Sequence, residues 1–410
     1  MAEVERRAII EAEPVDRPAD TQINGQEWWT LSLMPEEFQF DTPIPQLTVS
    51  LMGTDAMGAE VFQGLLQQGH KFKAIFAPDN PKDALRKAVE KENEKRDEND
   101  RINLYDLNPD TMKDPETVSR FSDENTDLGI FASVTYIAPK EIYEGPRKNT
   151  IGIHDSYLDE GRGGNAAGNA ILKTDKGNDN GDHRMQVSGV TVYEVTKGED
   201  TGDKFFQQKT SIWDTDTPFN LFPESTLPIG SQLMLNTVEM FARGLEDKIR
   251  TPQELSIDTK EPLLGKRGID WNRPTVDIYD ELRASLPFMP YAVLNPGEEV
   301  DIESYLENPH DVMNIRSGVA WLVDRKYPNV EAGTVVEIGK DGMVIATVDG
   351  AIRVKRVQDS RVRKGNKTGR IIEFDADKRG KTMPSGDYAQ EKGIEVGYKF
   401  ISPKKQQLAA

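Results

Sequence analysis

Residues 47–77 read Leu47-Thr-Val-Ser-Leu-Met-Gly53-Thr-Asp-Ala-Met-Gly58-Ala-Glu-Val-Phe-Gln-Gly-Leu-Leu-Gln-Gln-Gly69-His70-Lys-Phe-Lys-Ala-Ile-Phe-Ala77. Leu47 to Leu51 is a short apolar run of the kind that forms a buried strand. Gly53 to Gly58 forms a turn, and Ala59 to Gln68 continues as an amphipathic helix. Gly69 ends it, as glycine commonly does after the last helical turn. Lys71 to Ala77 reads as a second strand. Strand, turn, helix and strand in that order make a βαβ unit, which implies parallel strands joined by a right-handed crossover.

The same alternation continues beyond this unit. Asp83 to Arg101 is almost all charge, with a thin apolar stripe of Ala84, Leu85, Ala88 and Val89, and reads as a solvated helix. Strands are expected over Ile102–Leu107, Asp127–Val134 and Asn149–His154, with short helices over Pro139–Tyr143 and Gly164–Leu172. Val190–Val195 and Lys204–Ile212 read as a strand pair, and Leu227–Leu245 as a long helix. Strands alternating with helices place residues 47–245 in the α/β class. Residues 246–267 are polar and read as a linker. Beyond them Ile278, Leu282 and Leu286 share a helix face. The apolar period then changes to two, over Thr334–Ile338, Met343–Val348 and Ala351–Val357. Asp341-Gly342 and Asp349-Gly350 between these runs are hairpin signals. Residues 268–402 are therefore expected to form a small β-rich, barrel-like domain, with 403–410 as a tail. No internal repeat is visible.

Residues 1–46 are acidic and aperiodic, an extension expected to pack one or both of Trp28 and Trp29 on the main domain, the alternative being a docking peptide for a partner. They contain no apolar core of a secretory signal. No apolar run approaches the ~18–20 residues needed to span a bilayer, so neither membrane insertion nor secretion is expected, and a cytoplasmic location is. The absence of cysteine excludes disulfides, thiolate nucleophiles and cysteine-based zinc sites. The formal net charge of −19 repels phosphate backbones on average. One stretch runs against it: residues 351–381 hold eleven Lys/Arg against four Asp/Glu. This basic run could touch RNA or could balance an acidic neighbour.

Four histidines are available. His154 stands out, because it follows the end of an expected parallel strand, where open α/β sheets bind ligands. Gly198-Glu-Asp200-Thr-Gly-Asp203 lies between two later strands. A His and an Asp on neighbouring loops can form a base and its orienting partner. Gly53 to Gly58 lacks the spacing and the Lys-Ser/Thr of phosphate-binding loops, and reads as a turn that lets helix and strand pack. Lys176 to Asp182 has the composition of a calcium loop without its ligand spacing.

Taken together, Gly53-Thr-Asp-Ala-Met-Gly58, His154-Asp-Ser-Tyr-Leu158 with Arg162-Gly163, and Gly189-Val-Thr-Val192 leading to Asp200-Thr-Gly-Asp203 resemble the formyltransferase family. Leu221-Phe-Pro-Glu224 is most similar to the hydrolase domain of 10-formyltetrahydrofolate dehydrogenase. Ile269-Asp-Trp-Asn-Arg-Pro274, Gly333-Thr-Val-Val336 and Asp349-Gly-Ala-Ile-Arg353 resemble the C-terminal domain that this dehydrogenase shares with methionyl-tRNA formyltransferase. The resemblance covers residues 47–402. It implies an α/β fold, a Rossmann-like formyltransferase domain with a parallel-rich sheet, followed by a small OB-type C-terminal domain. It implies 10-formyltetrahydrofolate as formyl donor, without a metal, and a small amine or an aminoacyl-tRNA as acceptor.

By the same resemblance His154 donates a hydrogen bond to the tetrahedral oxyanion, Asp200 orients His154 or takes a proton, and Ser156 adds a hydrogen bond. The pterin is held by the loop carrying Phe131, Ser133, Tyr136 and Ile137 and by the loop carrying Val195, Lys197 and Glu199. Departures from the family pattern are informative. Gly152 stands where most of the transferases carry Asn, although the hydrolase domain also lacks it. Asp155, Asp159 and Glu160 replace two prolines and an arginine. Such an acidic mouth disfavours anionic acceptors and suits a cationic amine or water. The alternatives are therefore a 10-formyltetrahydrofolate hydrolase and a catalytically silent relative that binds folate or a partner.

Overall fold

The computed structural model describes residues 34–123, 125–158, 161–172, 186–213, 215–253, 268–285, 290–295, 302–308, 310–315, 320–323, 325–365, 371–374 and 380–402. Trp28, Trp29, Asp159, Glu160, the loop 176–182, Leu286, residues 254–267 of the expected linker, the expected tail and part of the basic run lie outside them. The chain divides into two compact units. The first takes the described residues of 34–170, 186–212 and 221–253, and the second those of 171–172, 213–220 and 268–402.

In the first unit the order is β1 (Thr48–Gly53), α1 (Asp55–Gln67), β2 (Lys71–Ala77), α2 (Ala84–Asn93), β3 (Leu104–Asp106), α3 (Pro115–Phe121), β4 (Leu128–Ala132), α4 (Lys140–Tyr143), β5 (Thr150–His154), α5 (Ala166–Leu172, which runs into the second unit), β6 (Gln186–Glu194) and β7 (Lys204–Ile212). A short helix α6 (Pro218–Leu221), whose residues 218–220 are counted in the second unit, and one π-helical turn lead into α7 (Leu227–Ala242). The seven strands form one sheet in the order β3-β2-β1-β4-β5-β6-β7. The first five are parallel, and β6 and β7 are antiparallel to their neighbours. From β1 the chain winds first to β2 and β3, then crosses to β4 and β5. The β1–β4 border is therefore the reversal at which such sheets open a crevice beyond the strands' C-terminal ends.

The helix after β1 begins at Asp55, earlier than its expected start at Ala59. The reason lies in the glycines. A Cβ on Gly53 would meet Leu85 Cδ2 at 3.1 Å and the Ala132 carbonyl at 3.2 Å, and one on Gly58 would meet Leu85 Cδ2 at 3.0 Å. Bare backbone at both positions lets α1 start immediately and leaves Leu85 seated over the turn. Met57, Val61, Phe62 and Leu65 face inward from α1 with at most 1 % exposure, each contributing about 1.5–3 kcal/mol by leaving water. The charge-rich helix is shorter than expected, ending at Asn93.

The second unit contains α8 (Thr275–Ala284), β8 (Tyr291–Val293), α9 (Ile302–Glu307), β9 (His310–Ile315), β10 (Ala320–Val323), β11 (Val335–Gly339), β12 (Gly342–Ala346), β13 (Ala351–Val354), β14 (Arg356–Gly365), β15 (Ile371–Phe374), β16 (Thr382–Pro384) and α10 (Ser385–Lys392). The three expected strands are β11, β12 and β13, all antiparallel, with β10 added at the β13 edge. Gly342 turns the first hairpin at φ +114°, and a Cβ there would lie 2.3 Å from the Val354 carbonyl, so the Asp-Gly signal reflects a steric requirement. The third run does not continue to Val357. Ser385 takes the Val354 carbonyl through its hydroxyl and the Lys355 carbonyl through its N–H. The chain thereby leaves the first sheet, and β14 joins a second one with β15, β9, β8 and β16. Trp271, Ile278, Ile352, Val357 and Phe400 share one core, each at most 1 % exposed.

Candidate active site

β4 and β5 end side by side, and the chain leaving each turns sharply. Ser133 follows β4 at φ +60°, a conformation side chains rarely adopt. Its carbonyl is held by the Thr54 hydroxyl at 3.0 Å. Beyond these ends lies a cavity of about 390 Å³, within the usual range of small-molecule sites, roughly 300–1,000 Å³. His154 and Asp200 line it together with Phe131, Tyr136, Ile137, Val195, Lys197 and Glu199. Ser133 contributes backbone geometry at the edge and is not in the lining. Ser156 is 3 % exposed, lies outside the lining, and donates to the Gly161 carbonyl at 2.7 Å.

His154 Nδ1 faces Asp200 Oδ2 at 3.5 Å, and its Nε2 lies 2.7 Å from the same Gly161 carbonyl. Both ring nitrogens thus face oxygens. A neutral ring donates to one of these oxygens, and its tautomer decides which. Asp200 itself sits at φ +52°. Its Oδ2 accepts the Gly163 N–H at 2.9 Å, and its carbonyl accepts Gln253 Nε2 at 2.9 Å. A non-glycine residue held in this region marks a loop fixed by its surroundings.

Asp155 is partly buried beside this pair. Burial pushes its carboxyl up from the ordinary carboxylate range, His154 pulls it down, and the Asp200 charge adds to the rise. Among the described residues no cluster of three or more His, Asp or Glu could hold a metal ion.

The site also uses residues that the sequence reading passed over. Thr191 pairs with His154 across β5 and β6, and Tyr193 pairs with Gly152. The Thr191 hydroxyl donates to the Ser156 carbonyl at 2.8 Å and accepts the Leu158 N–H at 3.1 Å and Gln207 Nε2 at 3.0 Å, which clamps the loop after His154. Tyr193 lines the cavity and stands edge-on to the His154 ring, with centroids 6.4 Å apart. Strand alternation puts residues 191, 193 and 195 on one face, and that was the available signal.

A family model described as Formyl transferase matches residues 47–235, and one described as Formyl transferase, C-terminal domain, matches residues 265–368. A methionyl-tRNA formyltransferase of Acetivibrio thermocellus is 25 % identical over 316 residues, 76 % of this chain and 92 % of that protein. The cytosolic 10-formyltetrahydrofolate dehydrogenase of Xenopus laevis is 26 % identical over 247 residues, 58 % of this chain and 25 % of that protein. The crystal structure of HypX from Aquifex aeolicus in complex with tetrahydrofolic acid has a similar fold, with a TM-score of 0.53 at 17 % identity, covering 88 % of this chain and 50 % of that one.

Proposed function

The chain belongs to the formyl transferase family, and on that footing we propose that it moves the formyl group of 10-formyltetrahydrofolate onto an amine. The observation that carries this reading is the His154–Asp200 pair, 3.5 Å apart, at the cavity beyond the C-terminal ends of β4 and β5.

In this reading the amine nitrogen attacks the formyl carbon, and the carbonyl oxygen takes up negative charge. His154 donates to that oxygen through Nε2, the oxyanion taking the place of the Gly161 carbonyl, where a fixed donor is worth most in a water-poor site. Asp200 takes the proton that the amine must lose and passes it to N10, and as the oxyanion re-forms its carbonyl the bond from the formyl carbon to N10 breaks. The loops of Phe131–Ile137 and Val195–Glu199 hold the pterin. Ser156 acts at one remove, by fixing the Gly161 carbonyl that His154 also meets. Methionyl-tRNA is the first acceptor to test, because the relatives that match three quarters of the chain carry that name.

The test is incubation with 10-formyltetrahydrofolate, following tetrahydrofolate with methionyl-tRNA, with small amines, and with no acceptor. Turnover that requires an amine is expected. Turnover with water alone would replace transfer by hydrolysis, and folate binding without turnover would replace both by a binding role. His154→Ala and Asp200→Ala are each expected to lose at least ~10²-fold in rate. A loss below about threefold would remove that residue from the chemistry.

A further inference from the structure

We propose that Gln253 is a positioning residue of this site, whose side-chain amide holds the Asp200 backbone in the turn that aims its carboxylate at His154. The proposal rests on the formyl-transfer reading above. The loop 195–202 joins β6 to β7, and its base is tightly closed. The Glu194 N–H donates to the Asp203 carbonyl at 2.8 Å. A Cβ on Gly202 would lie 1.8 Å from the Glu194 carbonyl, so only glycine lets the two limbs come this close. Arg250 bridges the same base, with Nη1 2.5 Å from Glu194 Oε2 and 3.3 Å from Asp203 Oδ2. Asn149 holds the other Glu194 oxygen through Nδ2 at 2.8 Å. Lys204 and Thr251 then exchange N–H to carbonyl bonds of 2.7 Å in both directions. The segment 250–253 is thereby pinned alongside the loop, and Gln253 reaches its Asp200 end.

There Gln253 Nε2 donates to two carbonyls, that of Asp200 at 2.9 Å and that of Gly202 at 2.5 Å. Its Oε1 is buried with no hydrogen-bond partner among the described residues, so toward this loop the amide serves as a donor alone. The backbone it holds is an uncommon one. Asp200 has φ +52°, in the left-handed region that side chains rarely adopt. Such a residue persists only where its surroundings over-determine it. The direction of its Cα–Cβ bond follows from that backbone. In this direction the carboxylate reaches both the Gly163 N–H at 2.9 Å and His154 Nδ1 at 3.5 Å. A peptide that relaxes toward ordinary φ swings the carboxylate away from both. Gln253 is not in the cavity lining, so its effect on the chemistry passes through Asp200.

Steady-state kinetics with 10-formyltetrahydrofolate and whichever acceptor supports turnover, water included, test this. Gln253→Met keeps the length of the side chain and removes both donated bonds. It is expected to lower kcat by roughly 5- to 50-fold, with the folate KM within about threefold of the parent. In an Asp200→Ala background the same change should cost less than about twofold further. A role in stability alone would lower the thermal midpoint and leave kcat in place at temperatures where the variant is folded. If Gln253→Met does not fold, Gln253→Ala, which asks for no space, is measured in its place. A kcat loss smaller than about fivefold, a loss confined to KM, or one that multiplies with Asp200→Ala overturns the positioning role and leaves the transfer reading standing. A parent protein that turns over nothing overturns the transfer reading, and this role with it.

Discussion

Asp155, immediately after His154, carries a pH dependence that can be worked out. Its carboxyl is raised by burial and by Asp200, against the pull of His154. A group with a raised folded-state pKa holds its proton more tightly in the folded chain than in the unfolded one. Folding is then favoured by this group below its unfolded value, and that stability is lost as pH rises through the folded value. At neutral pH Asp155 is thus a net cost. Asp155→Asn is therefore expected to raise the thermal midpoint at about pH 7, with the gain shrinking as pH falls toward the ordinary Asp value of 3.8. Scanning calorimetry across that range checks it, and equal midpoints at neutral pH would refute it. Such costs are tolerated where a site needs charge that stability does not. At this scale the meeting of His154 and Asp200 at one cavity was legible, because His154 closes β5 and Asp200 lies in a polar motif on the loop between β6 and β7. The Gly152–Tyr193 pairing was not. It depends on cross-strand register, and nothing local to either residue states which residue it faces.

Among the elements, the helix α2 shows how a charge-rich run can hide a structural residue. Read along the sequence, Asp83 opens a solvated stretch. In the fold it is 2 % exposed. One carboxylate oxygen accepts the Arg86 N–H at 2.9 Å and caps α2, while the other accepts the Asp55 N–H at 2.7 Å at the start of α1. A single side chain thus satisfies free donors of two helices. Asp83→Ala leaves both unpaired and should destabilise by about 1–3 kcal/mol, whereas Asp83→Asn keeps an acceptor and should cost less. Chemical denaturation of the two variants measures the difference, and an unchanged midpoint for Asp83→Ala would show that water serves the two donors equally well. The elements around it were readable wherever apolar runs were continuous, as in β1, β2, β4 and β5, which are covered on both faces. Strands β8, β9, β14 and β16 gave no such signal. They pair with partners distant in sequence, and their polar positions, such as Asn314 and Ser360 bonded to each other at 2.6 Å, interrupt the apolar pattern.

Over the whole molecule the question is how a chain of net charge −19 could use a polyanionic acceptor. Its average field opposes tRNA, so any attraction must come from a local concentration of cations. The basic run 351–381 is the segment of suitable sign. Part of its charge is already engaged, since Arg353 meets Glu337 at 3.0 Å and Arg356 donates to the Thr382 carbonyl at 3.2 Å. A site that engages about three or four phosphates loses roughly 40- to 150-fold in affinity between roughly 50 and 200 mM salt, through counterion release. With methionyl-tRNA as acceptor, its KM is therefore expected to rise steeply over that range, while the KM for 10-formyltetrahydrofolate barely moves. Reversing Lys364 and Lys367 to glutamate should flatten the tRNA dependence by about one unit of log–log slope for each phosphate no longer engaged. A tRNA KM indifferent to salt would mean that no phosphates are engaged. The basic run would then play no part in binding the acceptor.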